Sequence, residues 1–526
     1  MYQHTEVKKP SGLNKDLSPF ELPPSLWSDG ENINFRRNRT QKTKGYANTF
    51  SLTDTVAPPL FVIYYTNEID NLWMYASETA IYSTNGVLAL EFATGFNASR
   101  EYNWNGVNFN NRLIMNNKND HPQQLNDAGD AVVDLENWGT TKGGDPNGAP
   151  WGDASKCKVI RSYKNYLIAM DCYDETGNRF SNMVRWSSPA EAGAVPPSWD
   201  ALKVGEQAGL YPLADTPGVI MDGLTLGDYF MIYKTDSVWI VQFIGGEFTM
   251  SFRKLFGDEA GILGTDCVAE FDGKHFVLTA TGAYVHNGQT KEEIMEQWVK
   301  DELFENVAAD RIQETKIIAD HNNKEIWIYY TTVGSTWCDR AIIWNWEIQK
   351  WTVRDLSGIS YIAEGIVDKV IQSDQSWDGG TGTWADDVSE IWNSDTPPLS
   401  TDRNLLLADY TNKLFYRNEE GETMAGSPMV GRVKRIGIDF EDDANFKYLT
   451  RVIPHIKGQN PVDVTVYVSD TAETTPNVAQ KSTFNPLVDH DVDCHVSGRY
   501  VGVEFSGDEF WVLTGYSLEW EPMGRY

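Results

Sequence analysis

The chain has 526 residues, 41% of them hydrophobic and 12% aromatic, and a formal charge of −31 from 44 basic and 75 acidic residues. This excludes a disordered chain, and carboxylates spread along the whole length disfavour ordinary nucleic-acid binding, since such a surface repels phosphate unless a local basic patch offsets it. The expectation is a soluble protein made in the cytoplasm, because no apolar run approaches the roughly 18 residues of a membrane span and the segment Met1–Pro10 is too polar for a signal peptide.

Five cysteines, Cys157, Cys172, Cys267, Cys338 and Cys494, lie far apart with no CxxC, so they read as reduced core residues, not as a disulfide or zinc framework. From its start, the chain predicts an extended N-terminal arm and charged hairpin over residues 1–58. Ser11 to Asp29 (SGLNKDLSPFELPPSLWSD) carries three prolines and no hydrophobic period, so it should be extended and lie on a surface. The hairpin ENINFRRNRTQKTKGY follows, with the one local basic cluster: Arg36, Arg37, Arg39, Lys42 and Lys44. Two readings stay open for it, a contact with DNA or an acidic partner, or gatekeeper charges on a strand edge.

From Pro59 a hairpin unit recurs: an apolar run, a small polar turn and a second apolar strand. Copies start at Phe61, Trp104, Lys158, Met221, Val268 and Ile317, and a decayed seventh runs from Ile359 to Asn418. Lone hairpins are marginal in water, so repeated ones must stack. Their spacing of roughly 40 to 60 residues predicts a β-propeller of six to eight blades over 59–425, with a large sandwich as the fallback. Within that span, Lys291 to Val307 predicts one or two short amphipathic helices covering a blade edge. Asp374 to Thr401 reads as a polar loop insertion. From 426 to 526, alternating strands predict a separate C-terminal antiparallel β-sandwich-like domain, completing an all-β fold class.

Motif chemistry points to no enzyme. There is no P-loop, GxSxG or HExxH. Ser376 to Trp384 approaches the Ser-x-Asp-x-Gly-x-Thr-Trp turn of propeller sialidases, but its Thr-Trp comes one residue late. Asp489, Asp491, Asp493 and His495 alternate along one strand and could hold a hard cation; side chains two apart on a flat strand rarely converge on one ion, so a wet strand face is the plainer reading. Trp344, Trp346 and Trp351 could form a carbohydrate platform or pack between blades. No cofactor is expected.

One resemblance extends this reading. Gly12, Asn14, Leu22 to Pro24, Trp27, Asp29, Gly30 and Asn32, followed by the charged hairpin, resemble the opening of the tail nozzle proteins of short-tailed bacteriophages, also called packaged-DNA stabilisation proteins. LGDYFMIYKTDSVWIVQFIGG with GDEAGILG is similar to that family's middle, and RVIPHIKG, SGRYVGVEFSGD and WVLTGYSLEWEPMGR to its end. The resemblance implies a non-catalytic virion tail subunit, synthesised in the host cytoplasm. It would assemble with itself as a cyclic homo-oligomer, a hexamer in that family, below portal-proximal adaptor proteins, with tail fibre or tail needle proteins as neighbours. The assembly would retain packaged double-stranded DNA and conduct it during ejection. Leu13, Leu17, Phe20, Leu22 and Trp27 in the arm are the candidate subunit contacts. The alternative is a propeller tail protein that binds or cleaves glycans, for which Asp378 and Trp384 would matter.

Overall fold

A computed structural model describes residues 3–50, 57–66, 71–84, 86, 88–139, 151–246, 248–257, 259–367, 403–471 and 476–524. The 374–401 insertion, with Asp378 and Trp384, lies outside the described residues. Strands dominate the rest, and Gln297–Asn306 is the one α-helix among the described residues.

The hairpin recurrences each fall on one antiparallel sheet. The first five sheets are four-stranded and run from Phe61–Thr66 to Ala89–Thr94, Asn105–Phe109 to Val132–Asp134, Lys156–Tyr163 to Gly209–Pro212, Ile220–Leu226 to Met250–Phe256, and Val268–Phe271 to Lys291–Glu293. Two-residue turns set the register of the opening hairpin in the second to fifth sheets. Leu226 faces Tyr229 across Gly227 and Asp228, and Phe271 faces Lys274 across Asp272 (φ 50°) and Gly273 (φ 70°), a left-handed pair that matches the strand twist. The sixth and seventh sheets are two parts of one continuous nine-stranded sheet, and the sixth holds Lys316–Asp320, Glu325–Tyr330, Cys338–Asn345 and the start of the 17-residue strand Lys350–Ile366. The register of that strand shifts between Ile359 and Tyr361, and its second half opens a seventh sheet with Arg403–Asp409, Leu414–Asn418 and Tyr46–Asn48. A bulge re-aims a strand in this way.

The first strands of the seven sheets touch in cyclic order, and the seventh returns to the first. The result is a β-propeller-like all-β ring. Neighbouring sheets share apolar layers, such as Val159, Ile168, Phe230 and Trp239 between the third and fourth, and Tyr64, Trp73, Leu406 and Phe415 between the seventh and first. Stacking of this kind buries faces that one hairpin would leave wet. Tyr46–Asn48, from the N-terminal side, closes the seventh sheet and so locks the ring.

Strand pairing joins the two chain ends that the sequence reading kept apart. Gln3–Lys8 and Arg39–Lys42 both pair with Val512–Pro522, and Asp29–Glu31 pairs with Gly431–Ile438. The C-terminal unit is thus two sheets, of six and five strands, each containing N-terminal strands. Leu13, Leu22, Trp27, Ile33 and Phe35 are buried within this chain. Four of them, Leu13, Trp27, Ile33 and Phe35, lie in one continuous core with Val433, Phe505 and Leu518 of the sandwich and Trp351 and Val353 of the sixth sheet. An apolar arm needs a surface to cover, and its own sandwich supplies one.

The helix is shorter than the expected span because Lys291–Glu293 serves as the outer strand of the fifth sheet. It buries Trp298, Val299 and Leu303, and Glu302 pairs with Arg340 of the sixth sheet at 2.8 Å.

Candidate functional site: the charged axis of the ring

The inner strands carry charges among apolar residues: Arg161 in the third sheet, on a strand that also holds Lys156 and Lys158, Asp222 in the fourth, and Lys316 in the sixth, on a strand that also holds Asp320, with Asp266 two residues before the fifth. Ring closure brings these together at the axis. The Arg161 guanidinium donates to both Asp222 carboxylate oxygens at 3.0 Å and to Asp266 Oδ1 at 3.0 Å. Lys316 Nζ donates to Asp266 Oδ2 at 3.0 Å, and Tyr361 of the seventh sheet approaches the same oxygen at 3.4 Å. The backbone N–H of Asp266 also donates to Asp222 Oδ2 at 2.9 Å. Arg161 to Asp266 and Asp266 to Tyr361 each skip a sheet, so these bonds are chords across the axis.

Burial alone would raise the Asp266 carboxyl, but Lys316 and Arg161 beside it bring it below the usual range. Burial likewise opposes the charge on Arg161, and Asp222 and Asp266 outweigh it. The cluster is a closed, paired network, in which each desolvated charge has an opposite partner. Asp266 lies on the wall of two cavities, one of about 320 Å³ at the start of the inner strands and one of about 410 Å³ along them. At the far end of the second, His321 Nδ1 lies 3.0 Å from Glu364 Oε2. The bond to Glu364 raises the imidazole above its ordinary value.

This network was not singled out from sequence, because its members stand far apart in the chain. The available signal was a charge on, or two residues before, the inner strand of four consecutive units, and further charges such as Lys156, Glu270 and Asp320 on those strands masked it.

The singled-out residues divide. In the basic hairpin, Arg36 is spent inside the molecule: it donates to Glu325 at 2.9 and 3.0 Å and pairs with Glu419. Lys42 is buried and donates to the Glu422 carbonyl at 2.9 Å. Arg37, Arg39 and Lys44 are exposed. Of the arm residues, Leu13, Leu22 and Trp27 are core, whereas Leu17 and Phe20 are 44% and 40% exposed.

The acidic row does not gather around a point. Its strand is Val492–Gly498, so Asp489 and Asp491 precede it. Arg451 lies 3.2 Å from Asp493 and 3.7 Å from Asp491, Asp489 accepts from the Asn485 N–H, and His495 meets the Tyr448 hydroxyl at 3.0 Å. No group of three or more metal-ligating side chains occurs among the described residues. The tryptophans are packing residues: Trp344 and Trp351 are buried with ring centroids 6.0 Å apart, and Trp346 lies against Phe271.

No protein-family profile matches the sequence, nor does any curated protein. Solved structures give weak likenesses. The extracellular domain of a hybrid two-component system from B. thetaiotaomicron aligns at TM-score 0.40 and 8% identity over 85% of this chain and 48% of that one. Dihydro-heme d1 dehydrogenase NirN aligns at 0.34 and 10% over 55% and 54%, and PorZ of Porphyromonas gingivalis at 0.33 and 11% over 76% and 42%. The chain spans about half the length of these structures or less, and likenesses of this strength carry no argument about what it does.

Proposed function

We propose that the protein is a structural subunit of a phage tail nozzle, a wall block of a cyclic assembly that retains packaged DNA and later lets it pass. The observation that carries this reading is that the N-terminal and C-terminal stretches on which the resemblance rests interlock in one body. Trp27 stacks on Tyr516 at 5.7 Å and meets Phe505 edge-on at 6.2 Å, and Asp29 pairs with Arg432 at 2.7 Å. Motifs from opposite chain ends that build a shared core behave as one structural unit.

Ion pairs tie the inner strands of the ring together, so in this reading the conduit runs between copies, around a symmetry axis. A heterologous interface that closes on itself would make it. The turn after Val238–Phe243 supports such a contact, since it presents two exposed apolar side chains, Ile244 at 53% and Phe248 at 74%, which a subunit contact would cover. The net charge of −31 suits a wall that DNA must not grip.

Light scattering of the purified chain, alone and with the adaptor proteins of its virion, tests the proposal, with negative-stain images of any assembly. Closed oligomers with a central opening, or docking onto the adaptor, are expected. A chain that stays monomeric at high concentration and ignores the adaptor overturns it.

A further inference from the structure

The 320 Å³ cavity at the start of the inner strands has a charge pattern that its own residues do not complete. Its wall holds five cations: Arg100, Lys118, Lys158, Arg311 and Lys316. Three are paired, Arg100 with Glu314, Arg311 with Asp310, and Lys316 with Asp266. Lys118 and Lys158 have no carboxylate within ion-pair distance among the described residues. Lys118 Nζ lies over the Tyr102 ring at 4.0 Å, and Lys158 Nζ has only the Met221 sulfur at 3.5 Å. Glu101 is the single wall carboxylate outside those pairs.

The Lys158 backbone is held firmly, because its carbonyl accepts from Asn105 Nδ2 at 2.9 Å and Asn116 Nδ2 at 3.1 Å. Its side chain therefore leaves from a fixed point on the cavity wall. Burial pushes both ammonium groups below the usual lysine range; the more distant carboxylates of Asp171 and Asp222 at Lys158, and of Asp171 and Glu101 at Lys118, offset this only in part. Half-buried ammoniums with no anion in direct contact are costly, and an anion seated between the protein walls relieves that cost. Such a pattern stands out in a chain with so large an excess of carboxylates.

We infer that this cavity is a binding site for a small oxyanion, a phosphate or carboxylate group carried on a sugar-sized molecule, with Lys118 and Lys158 supplying the charge. Its volume is that of a small-ligand pocket, and Tyr102 and Trp104 on the wall offer aromatic surface beside the charges. The site is independent of the assembly proposed above.

Isothermal titration of the full chain with ribose 5-phosphate, glucuronate and uncharged ribose tests the inference. Binding of at least one charged sugar with Kd of about 1 mM or tighter is expected, with none for ribose. Preference for ribose 5-phosphate identifies a phosphate ligand and preference for glucuronate a carboxylate. Lys158→Gln and Lys118→Gln should each weaken binding about tenfold, the usual weight of one charge-assisted hydrogen bond. Lys254→Gln, on the exposed outer strand of the fourth sheet, should leave it unchanged. Absence of heat with both charged sugars at about 10 mM on the unmodified chain overturns the inference, and that arm needs no variant to fold. Equal binding of ribose, or undiminished binding in both lysine variants, overturns it as well.

Discussion

Buried between the fourth and fifth sheets, the Tyr233 hydroxyl lies 2.6 Å from His275 Nδ1 and 2.7 Å from His286 Nε2. The outer bonds determine where the protons are. His275 Nε2 lies 3.0 Å from the Thr225 carbonyl, which can only accept, so Nδ1 is the acceptor for the Tyr233 O–H. His286 Nδ1 accepts from the Gly288 N–H, so its Nε2 carries a proton and donates to the Tyr233 oxygen. The chain of bonds is complete only with both rings neutral. Burial lowers His275 from 6.5 to about 4, and burial together with His275 lowers His286 to about 3. Across that window the unfolded chain binds more protons than the folded one, so stability falls as pH drops from 7 towards 4. His275 alone accounts for about 3 kcal/mol of the loss by pH 4. Urea unfolding followed at pH 7 and pH 4.5 should show this loss, and His275→Gln, which cannot take the proton, should show a shallower one. Tyr233→Phe should cost about 1–3 kcal/mol at pH 7 by orphaning both ring nitrogens. An equal pH slope in His275→Gln would place the acid sensitivity elsewhere.

At the scale of elements, Asn32 is the clasp between the N-terminal strands and the ring. Its N–H donates to the Val353 carbonyl at 2.9 Å, its Oδ1 accepts from the Asp355 N–H at 2.8 Å, and its Nδ2 donates to Asp355 Oδ2 and the Val430 carbonyl at 2.9 and 3.1 Å. Its φ is 55°, a conformation that asparagine tolerates better than most residues. Asn32→Ala removes three side-chain bonds and strains the backbone, an expected loss of about 2–4 kcal/mol. Asn32→Gly should recover only the backbone part, and denaturant midpoints of the two variants separate the contributions. The Trp27, Asp29, Gly30 and Asn32 pattern was therefore visible in the sequence while its use was not. Local spacing shows that a turn exists, but its partners are 323 to 398 residues away. For the same reason the hairpin recurrences were legible, since alternation and turn residues are local. The assignment of Tyr46–Asn48 to the seventh sheet was not, because an outer strand borrowed from the far end of the chain leaves no periodic mark. The charged axis was hidden likewise, its members coming from different units far apart in the chain.

For the whole molecule, the axial network joins neighbouring sheets through Arg161–Asp222 and Lys316–Asp266 and reaches past a neighbour through Arg161–Asp266, so it braces the ring. Asp266→Leu leaves Lys316 without its carboxylate and Arg161 with only one, and should cost about 3–5 kcal/mol, seen as a lower denaturant midpoint. For the assembly proposed above, the outer surface is what counts. Of the apolar groups facing solvent, Phe248 is 74% exposed and Ile244 53%, both at one turn on the fourth sheet. Neither supports the core, so charging them leaves the monomer intact. Burying the two side chains in a subunit contact would stabilise each interface by about 1.5–3 kcal/mol per side chain, and a closed ring repeats the gain at every interface. Phe248→Glu with Ile244→Asp should therefore shift a closed assembly to monomers in light scattering, with circular dichroism and the unfolding midpoint unchanged. Rings that persist undiminished in this double variant would move the interface to another face, with exposed Leu17 and Phe20 the next pair to charge.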